Sequence, residues 1–272
     1  MTLREAIALL AEAGVPSPEY DAAELLAHVT GSSRTRLAVP SGEELTRFDD
    51  LVRRRAEREP LQHLTGEAHF RYVSLQVGPG VFVPRPETEV LAGWAIDRAR
   101  ECESPVVVDL CTGSGAIALS VATEVPTAKV YAVELGDPAV EWARRNLAGS
   151  GIELRHGDMA DAFRELDGAV DVVVSNPPYI PLEAFESVAP EARDHDPALA
   201  LWSGQDGLNA MRVVEATAAR LLRPGGVVGA EHADVQGEVA PAVFAGAGRW
   251  ADVRDHLDLA GRPRFVTARL AR

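Results

Sequence analysis

Apolar residues recur at three- and four-residue spacing through the first sixty positions, then give way to short continuous runs. Leu3, Ile7 and Leu10 share one helical face, and Leu25, Leu26 and Val29 share another. Pro16 and Pro18 separate the first helix from the second. Gly31 ends the second, and Ser41 is placed to cap a third that runs through Arg53-Arg54-Arg55 toward Pro60. No strand pattern interrupts this stretch, so residues 1–69 are expected to form a small all-α domain. Residues 70–83 alternate apolar and polar around Gly78-Pro79-Gly80 and read as a hairpin or extended linker. Pro84-Arg85-Pro86-Glu87-Thr88-Glu89 then opens a helix toward Arg100, with Pro86 in its first turn and acids behind it.

Over residues 84–272 strand and helix patterns alternate. The predicted strands centre on residues 106–110, 130–134, 152–155, 170–175 and 227–231, with a closing pair near 253–257 and 264–270. Predicted helices fill the gaps at 116–123, 138–148, 208–222 and 236–245. Near-continuous apolar strands joined by helical crossovers imply an α/β fold: a doubly wound, mostly parallel sheet covered on both faces. The last two strands have no long helix between them and are expected to form an antiparallel hairpin at one edge.

Composition narrows the class. The chain has 272 residues, 46% hydrophobic and 25% charged, the balance of a soluble globular protein with a full core. Its apolar runs reach about five residues, against the ~20 that a membrane helix needs, so no membrane association is expected. Nor does the first segment carry a basic-then-apolar signal pattern, and the expected location is cytoplasmic. Forty-one acidic against 27 basic residues give a net charge of −14. That disfavours direct nucleic-acid binding and suits a basic protein partner or a small cationic cofactor. Cys102 and Cys111 have no zinc-type spacing and are expected to be reduced. Arg53-Arg54-Arg55, flanked by Glu57 and Glu59, reads as a solvated helix face, with a docking patch as the alternative.

Two loops carry the chemistry. Val106-Val107-Val108-Asp109-Leu110 runs into Cys111-Thr112-Gly113-Ser114-Gly115 and a helix start, and Gly113-x-Gly115-x-x-Ala118 has the spacing of a nucleotide-binding turn. Glu134 ends the next strand about twenty residues on, where an acid takes the two hydroxyls of a ribose. This pair fits a nicotinamide dinucleotide and S-adenosylmethionine equally. The second loop, Asn176-Pro177-Pro178-Tyr179, follows the strand at 170–175 and faces the same crevice, because ligands of open α/β sheets sit at the strands' carboxyl ends. Two prolines offer no N–H, so the loop presents carbonyls together with the Asn176 side-chain oxygen. Such a pocket accepts a planar NH2 group, and Tyr179 supplies a flat apolar wall. Acceptors on both N–H bonds would aim the nitrogen lone pair at an electrophile such as a sulfonium methyl.

On these residues the chain resembles the S-adenosylmethionine-dependent amino methyltransferases that carry Asn-Pro-Pro-Tyr. More narrowly it resembles the PrmC/HemK family, which methylates the glutamine of the Gly-Gly-Gln motif in peptide-chain release factors. The resemblance also rests on Leu61-x-x-Leu64-Thr65-Gly66, the stretch from Val81 to Glu89, Asp206-Gly207-Leu208, Pro224-Gly225-Gly226, Glu231-His232 and Gly261-Arg262-Pro263-Arg264-Phe265. It implies a Rossmann-like methyltransferase sheet over residues 84–272 and a substrate-docking role for residues 1–69. It further implies that Cys111, Thr112, Gly113, Ser114 and Gly115 line the methionine part of S-adenosylmethionine and that Glu134 binds its ribose. Asp158 or Met159 would lie by the adenine, and Pro86 and Thr88 would wall the cofactor from the other side. Asn176 would touch cofactor and substrate, with Pro177, Pro178 and Tyr179 completing the glutamine pocket. The chain departs from the family at Cys111, where glycine is usual and where the turn survives if φ is negative. Met159 replaces an aromatic residue of some members. Competing readings are a methyltransferase on a ribosomal-protein glutamine or on adenine in DNA, a binding module that lost its chemistry, and a nicotinamide oxidoreductase. His232 borders the crevice but reads as a satisfied core histidine. Residues 181–205 read equally as a substrate lid and as a surface excursion packed by Phe185 and Trp202.

Overall fold

A computed structural model describes residues 1–271. Four helices come first: α1 (Leu3–Glu12), α2 (Pro18–Thr30), α3 (Gly42–Ala56) and the single turn α4 (Leu61–Thr65). Thr2 and Ser41 each close a reciprocal capping box, with Glu5 and Glu44, and Gly31 takes the left-handed conformation after α2. Their apolar stripes converge on Leu10, Leu25, Phe48 and Val52, all essentially sealed from solvent. Full burial of each such side chain contributes roughly 1.5–3 kcal/mol, which holds this layer together without strands. Five residues are too few to show a helical period, so α4 left no pattern in the sequence.

The hairpin β1 (Glu67–Phe70) and β2 (Val73–Gln76) follows. Its turn is Arg71-Tyr72, ahead of the expected Gly78-Pro79-Gly80. Arg71 adopts φ 51° without being glycine, and its guanidinium is held by Glu124 and the Glu89 carbonyl, so the usual glycine signal is missing. Helix α5 (Thr88–Arg100) starts two residues later than expected. Pro86 and Glu87 form the turn before it, leaving Pro86 exposed and turning Thr88 inward.

The main sheet is built from β3 (Val106–Leu110), β4 (Lys129–Glu134), β5 (Glu153–His156), β6 (Val170–Ser175), β7 (Leu222–Glu231), β8 (Trp250–Leu257) and β9 (Pro263–Leu270), in the order β5-β4-β3-β6-β7-β9-β8. The first five are parallel, and β9 runs antiparallel between β7 and β8, so the closing hairpin sits at one edge as expected. Helices α5, α6 (Ala116–Glu124) and α7 (Asp137–Asn146) cover one face, and α10 (Asn209–Leu221) and α11 (Val239–Gly246) cover the other. Between β6 and α10 lie the short helices α8 (Pro190–His195) and α9 (Ala198–Leu201). Strand order reverses between β3 and β6, so the chain after each leaves in opposite directions and opens a crevice. Register sets what faces it: Leu110 lies level with Val133 and with Ser175, and Ser175 with Ala230. The four strand ends therefore deliver Cys111, Glu134, Asn176 and Glu231 to one rim. No helix among the described residues is long and apolar enough to cross a membrane.

The helical layer is joined to the sheet by charge. Arg55, buried on α3, donates to Asp21 (2.7 Å) and to Glu191 on α8 (2.9 Å), and Arg58 takes both oxygens of Glu191 (2.8 and 2.7 Å). Arg54 pairs at the surface with Glu59. The solvated-face expectation therefore fails at Arg55, whose guanidinium needs buried carboxylates to be tolerated there.

Candidate active site

A cavity of about 970 Å3 occupies the crevice and extends to the helical layer. Its wall includes Cys111, Thr112, Gly113, Ser114, Glu134, Asp158, Met159, Asn176, Pro178, Tyr179 and Thr88. Gly115 and Pro177 are buried behind this wall, and Pro86 stands outside it. The two loop glycines have different tasks. A Cβ at Gly113 would meet nothing within 4 Å, so its backbone is open to a ligand, whereas at Gly115 it would strike the Leu147 side chain at 2.8 Å. Gly115 is thus a packing glycine at φ 89°.

Asp109, one residue before the end of β3, ties the glycine loop down. Its Oδ2 accepts from the Thr112 hydroxyl (2.6 Å) and the Ala118 N–H (3.2 Å), while Oδ1 is buried with no partner among the described residues. Burial pushes this carboxyl up to about 7, opposed by those two hydrogen bonds. Glu134 accepts from the Gly113 N–H with Oε2 and from the Gly136 N–H with Oε1, both at 2.8 Å. Each carboxylate oxygen keeps a second lone pair for a hydroxyl donor. Glu134 and Asp158 make this end of the cavity acidic, which fits a positively charged ligand.

Cys111 sits at φ 62°, so the condition of a negative φ fails and the turn is left-handed. A side chain there costs about 1–2 kcal/mol relative to glycine. Its sulfur lies 3.5 Å from that of Met159, filling the wall between the glycine loop and the segment after β5. Burial, and then the charge of Glu134, push the thiol well above its ordinary range. It stays protonated and is a poor nucleophile, so it is inert toward an alkylating ligand.

After β6, the Ser175 hydroxyl donates to the Leu110 carbonyl (2.7 Å) and pins the two strand ends together. Asn176 donates through Nδ2 to the Thr88 hydroxyl oxygen (3.3 Å), and its Oδ1 accepts nothing among the described residues. The Tyr179 carbonyl is held by Gln236 (3.1 Å) and its phenol donates to Glu231 Oε1 (3.2 Å). Burial pushes the phenol upward, so it stays neutral. His232, just after β7, is the satisfied core histidine the sequence predicts: its ring is fully buried and bonded to Asp255 (2.9 Å) and the Ala233 carbonyl (2.9 Å). The residue facing the cavity is its neighbour Glu231. An acid at a carboxyl end of a parallel strand was the available signal.

Residues 181–205 form the packed excursion, and part of it walls the cavity. Phe185 stacks on Trp202 at 5.6 Å, and Ile180 bridges to Trp202, which packs the excursion. Glu191, Ala192, Pro197 and Leu201 also wall the cavity. Arg85 pairs with the buried Asp196 (2.8 Å), fixing the same segment from the other side.

Comparison with known proteins decides the family. Residues 2–66 match the PrmC N-terminal domain and residues 90–190 the methyltransferase small domain. Over 265 residues the chain is 61% identical to the release factor glutamine methyltransferase of Streptomyces coelicolor, spanning 96% of this chain and 94% of that one. The chain belongs to the release factor glutamine methyltransferase family. The Mycolicibacterium smegmatis member is 49% identical over 99% of the chain and 97% of its own length. A 4-amino-L-phenylalanine/4-methylamino-L-phenylalanine methyltransferase of Streptomyces pristinaespiralis is 48% identical over 75% of this chain and 71% of its own. The solved Pyrococcus furiosus methyltransferase shares 18% identity over 73% of this chain and 89% of its own, with a TM-score of 0.52, and shows the fold alone. As a release factor glutamine methyltransferase family member the chain is an S-adenosylmethionine-dependent enzyme.

Proposed function

We propose that the chain transfers the methyl group of S-adenosylmethionine to the side-chain amide nitrogen of the glutamine in the Gly-Gly-Gln motif of peptide-chain release factors. The observation that carries this is the Asn176 Oδ1, which accepts nothing among the described residues, on a residue that walls the cavity together with Tyr179, Gly113 and Glu134. S-adenosylmethionine, when bound, supplies a methyl group on a sulfonium. The residues present fit it. The open side of Gly113 admits its backbone approach, the spare lone pairs of Glu134 take the ribose hydroxyls, Met159 and Asp158 flank the adenine, and the acidic wall suits its positive charge.

Asn176 Oδ1 accepts one N–H of the substrate amide, and a carbonyl of the Pro177-Pro178 turn accepts the other. An amide nitrogen is a weak nucleophile because its lone pair is shared with the carbonyl. Two acceptors stabilise the developing positive charge on N–H as the new N–C bond forms, and they do so with no reorganisation. S-adenosylmethionine would take the sulfur–carbon bonding pair away as a neutral thioether, and the amide proton departs to water. Arg55, Arg58 and the segment 181–205 enclose the far end, which gives the cavity length enough for a loop of protein and not only for the cofactor.

Acceptors for a planar NH2 also suit an aryl amine, and the Streptomyces pristinaespiralis relative bears the name of such an enzyme. The test offers radiolabelled S-adenosylmethionine with four acceptors: a release factor, the same factor with the glutamine of Gly-Gly-Gln changed to alanine, 4-aminophenylalanine, and duplex DNA. Label confined to the first supports the proposal. Label in the amino acid or the DNA but not in the release factor refutes it.

A further inference from the structure

Glu231 lies across the crevice from Glu134, at the carboxyl end of β7. Its residue is 1% exposed. One oxygen accepts from the Tyr179 phenol; the other, Oε2, is buried with no partner of normal hydrogen-bond geometry among the described residues. The Thr88 hydroxyl stands against the same carboxylate and favours its ionised form. Thr88 is also the acceptor for Asn176 Nδ2. The carboxylate therefore holds one wall of the amide pocket through Tyr179, and its unpartnered oxygen is left to the Thr88 hydroxyl, which holds the other wall.

We propose that Glu231 is a positioning residue whose negative charge, relayed by the Thr88 hydroxyl, sets which end of the Asn176 amide faces the substrate. The argument rests on the proposed function, because it concerns how that pocket presents an acceptor. A threonine hydroxyl has one proton and two lone pairs. A carboxylate only accepts, so the Thr88 proton turns to Glu231 and its lone pairs remain for Asn176 Nδ2. Asn176 Oδ1 then points at the substrate. A neutral carboxyl group donates. It can turn its own proton on Thr88, release the Thr88 proton toward Asn176, and make the reversed amide equally favourable. The reversed amide meets the substrate NH2 with another NH2, donor against donor, and loses one of the two acceptors. The charged and titratable groups around Glu231 are few: Glu87 beside Thr88, Tyr179 after β6, and Arg264 from β9, itself paired with Asp258 (3.0 Å). His232 is turned away onto Asp255.

The test compares wild type, Glu231→Gln, Thr88→Val and Thr88→Ser. Burial pushes Glu231 up to about 7, so wild-type kcat at saturating cofactor should fall as pH drops below about 7. Saturation removes any contribution that Asp109 makes through cofactor affinity. Glu231→Gln and Thr88→Val should lose on the order of 100-fold in kcat, the scale of a misplaced reacting group, with the acid limb gone, and Glu231→Gln should retain cofactor affinity. Thr88→Ser should restore both rate and limb. A Glu231→Gln enzyme that keeps wild-type kcat, or keeps the acid limb, overturns the proposal. A second readout needs no substrate. In the complex with S-adenosylhomocysteine, the side-chain NH2 protons of Asn176 should be protected from exchange in wild type and Thr88→Ser, and lose protection in Glu231→Gln and Thr88→Val. If the wild type does not methylate release factor, the proposed function falls. The exchange measurement then still decides the network, and equal protection in all four proteins refutes it.

Discussion

A carboxylate buried for function should weaken the fold, and Glu231 allows that weakening to be sized. The ordinary value for the group is 4.5, and burial moves it to about 7 in the folded protein. At about 1.4 kcal/mol per unit, the gap is worth roughly 3 kcal/mol. The sign follows from which form the fold prefers. Below 4.5 the group is neutral in both states and contributes nothing. As pH rises the unfolded chain ionises first, so stability is lost progressively and the loss levels off above 7. Glu231→Gln removes this titration. The stability of the variant minus that of wild type should therefore grow by roughly 2–3 kcal/mol between pH 5 and pH 8. Taking the difference between the two proteins cancels the other titrating groups, Asp109 and Asp196 included. The assay is urea unfolding at both pH values, with folding confirmed two-state by coincident fluorescence and circular-dichroism transitions. The same stability difference at both pH values would mean that Glu231 is not a buried, reluctantly ionised group, and the reasoning would fail.

Two other outcomes follow from the geometry. Glu134→Ala removes an acceptor of charge-assisted hydrogen bonds, each worth about 1.5–3 kcal/mol; it should weaken S-adenosylmethionine binding by on the order of 100-fold in calorimetry, and an unchanged Kd would remove Glu134 from the cofactor site. Glu191 is held at about 2, with its hydrogen bonds to Arg58 and Arg55 outweighing burial. Its stabilisation is therefore complete above its ordinary 4.5 and lost as pH falls toward 2. Glu191→Ala should raise hydrogen exchange across residues 181–205 at pH 7 and leave the sheet protected. Unchanged exchange there would show that the ion pairs with α3 do not hold the segment.

The sheet was legible because its strands are buried on both faces and read as valine-rich runs with a single aspartate in each, as in Val106–Leu110 and Val170–Ser175, which match the predicted bounds. The Asn-Pro-Pro-Tyr loop was legible because proline fixes what a backbone can donate. The hairpin turn at Arg71-Tyr72 was not, since tertiary contacts to Glu89 and Glu124 impose a positive φ that composition does not announce. The left-handed Cys111 belongs to the same class: local preference opposes it, and packing against Met159 accompanies it. Glu231 was visible as part of a motif, but its importance lies in burial and in bonds to residues 52 and more positions away. The pairing of Arg55 with Glu191 spans 136 positions, so a cluster that looks solvated in one dimension turns out to join the two parts of the chain. Long-range pairing of charges leaves no period in a sequence.

The central claim is that the Asn176 pocket presents a glutamine side-chain amide for methylation. The most direct measurement is peptide mass spectrometry of a release factor after incubation with S-adenosylmethionine and either wild type or Asn176→Ala. The wild type should add a single methyl group, located on the side-chain amide of the Gly-Gly-Gln glutamine. Asn176→Ala should add it more slowly by on the order of 100- to 1,000-fold, the scale for loss of one preorganised polar contact to developing charge, while keeping the fold. Methylation at another residue, or an Asn176→Ala enzyme as fast as wild type, would contradict it.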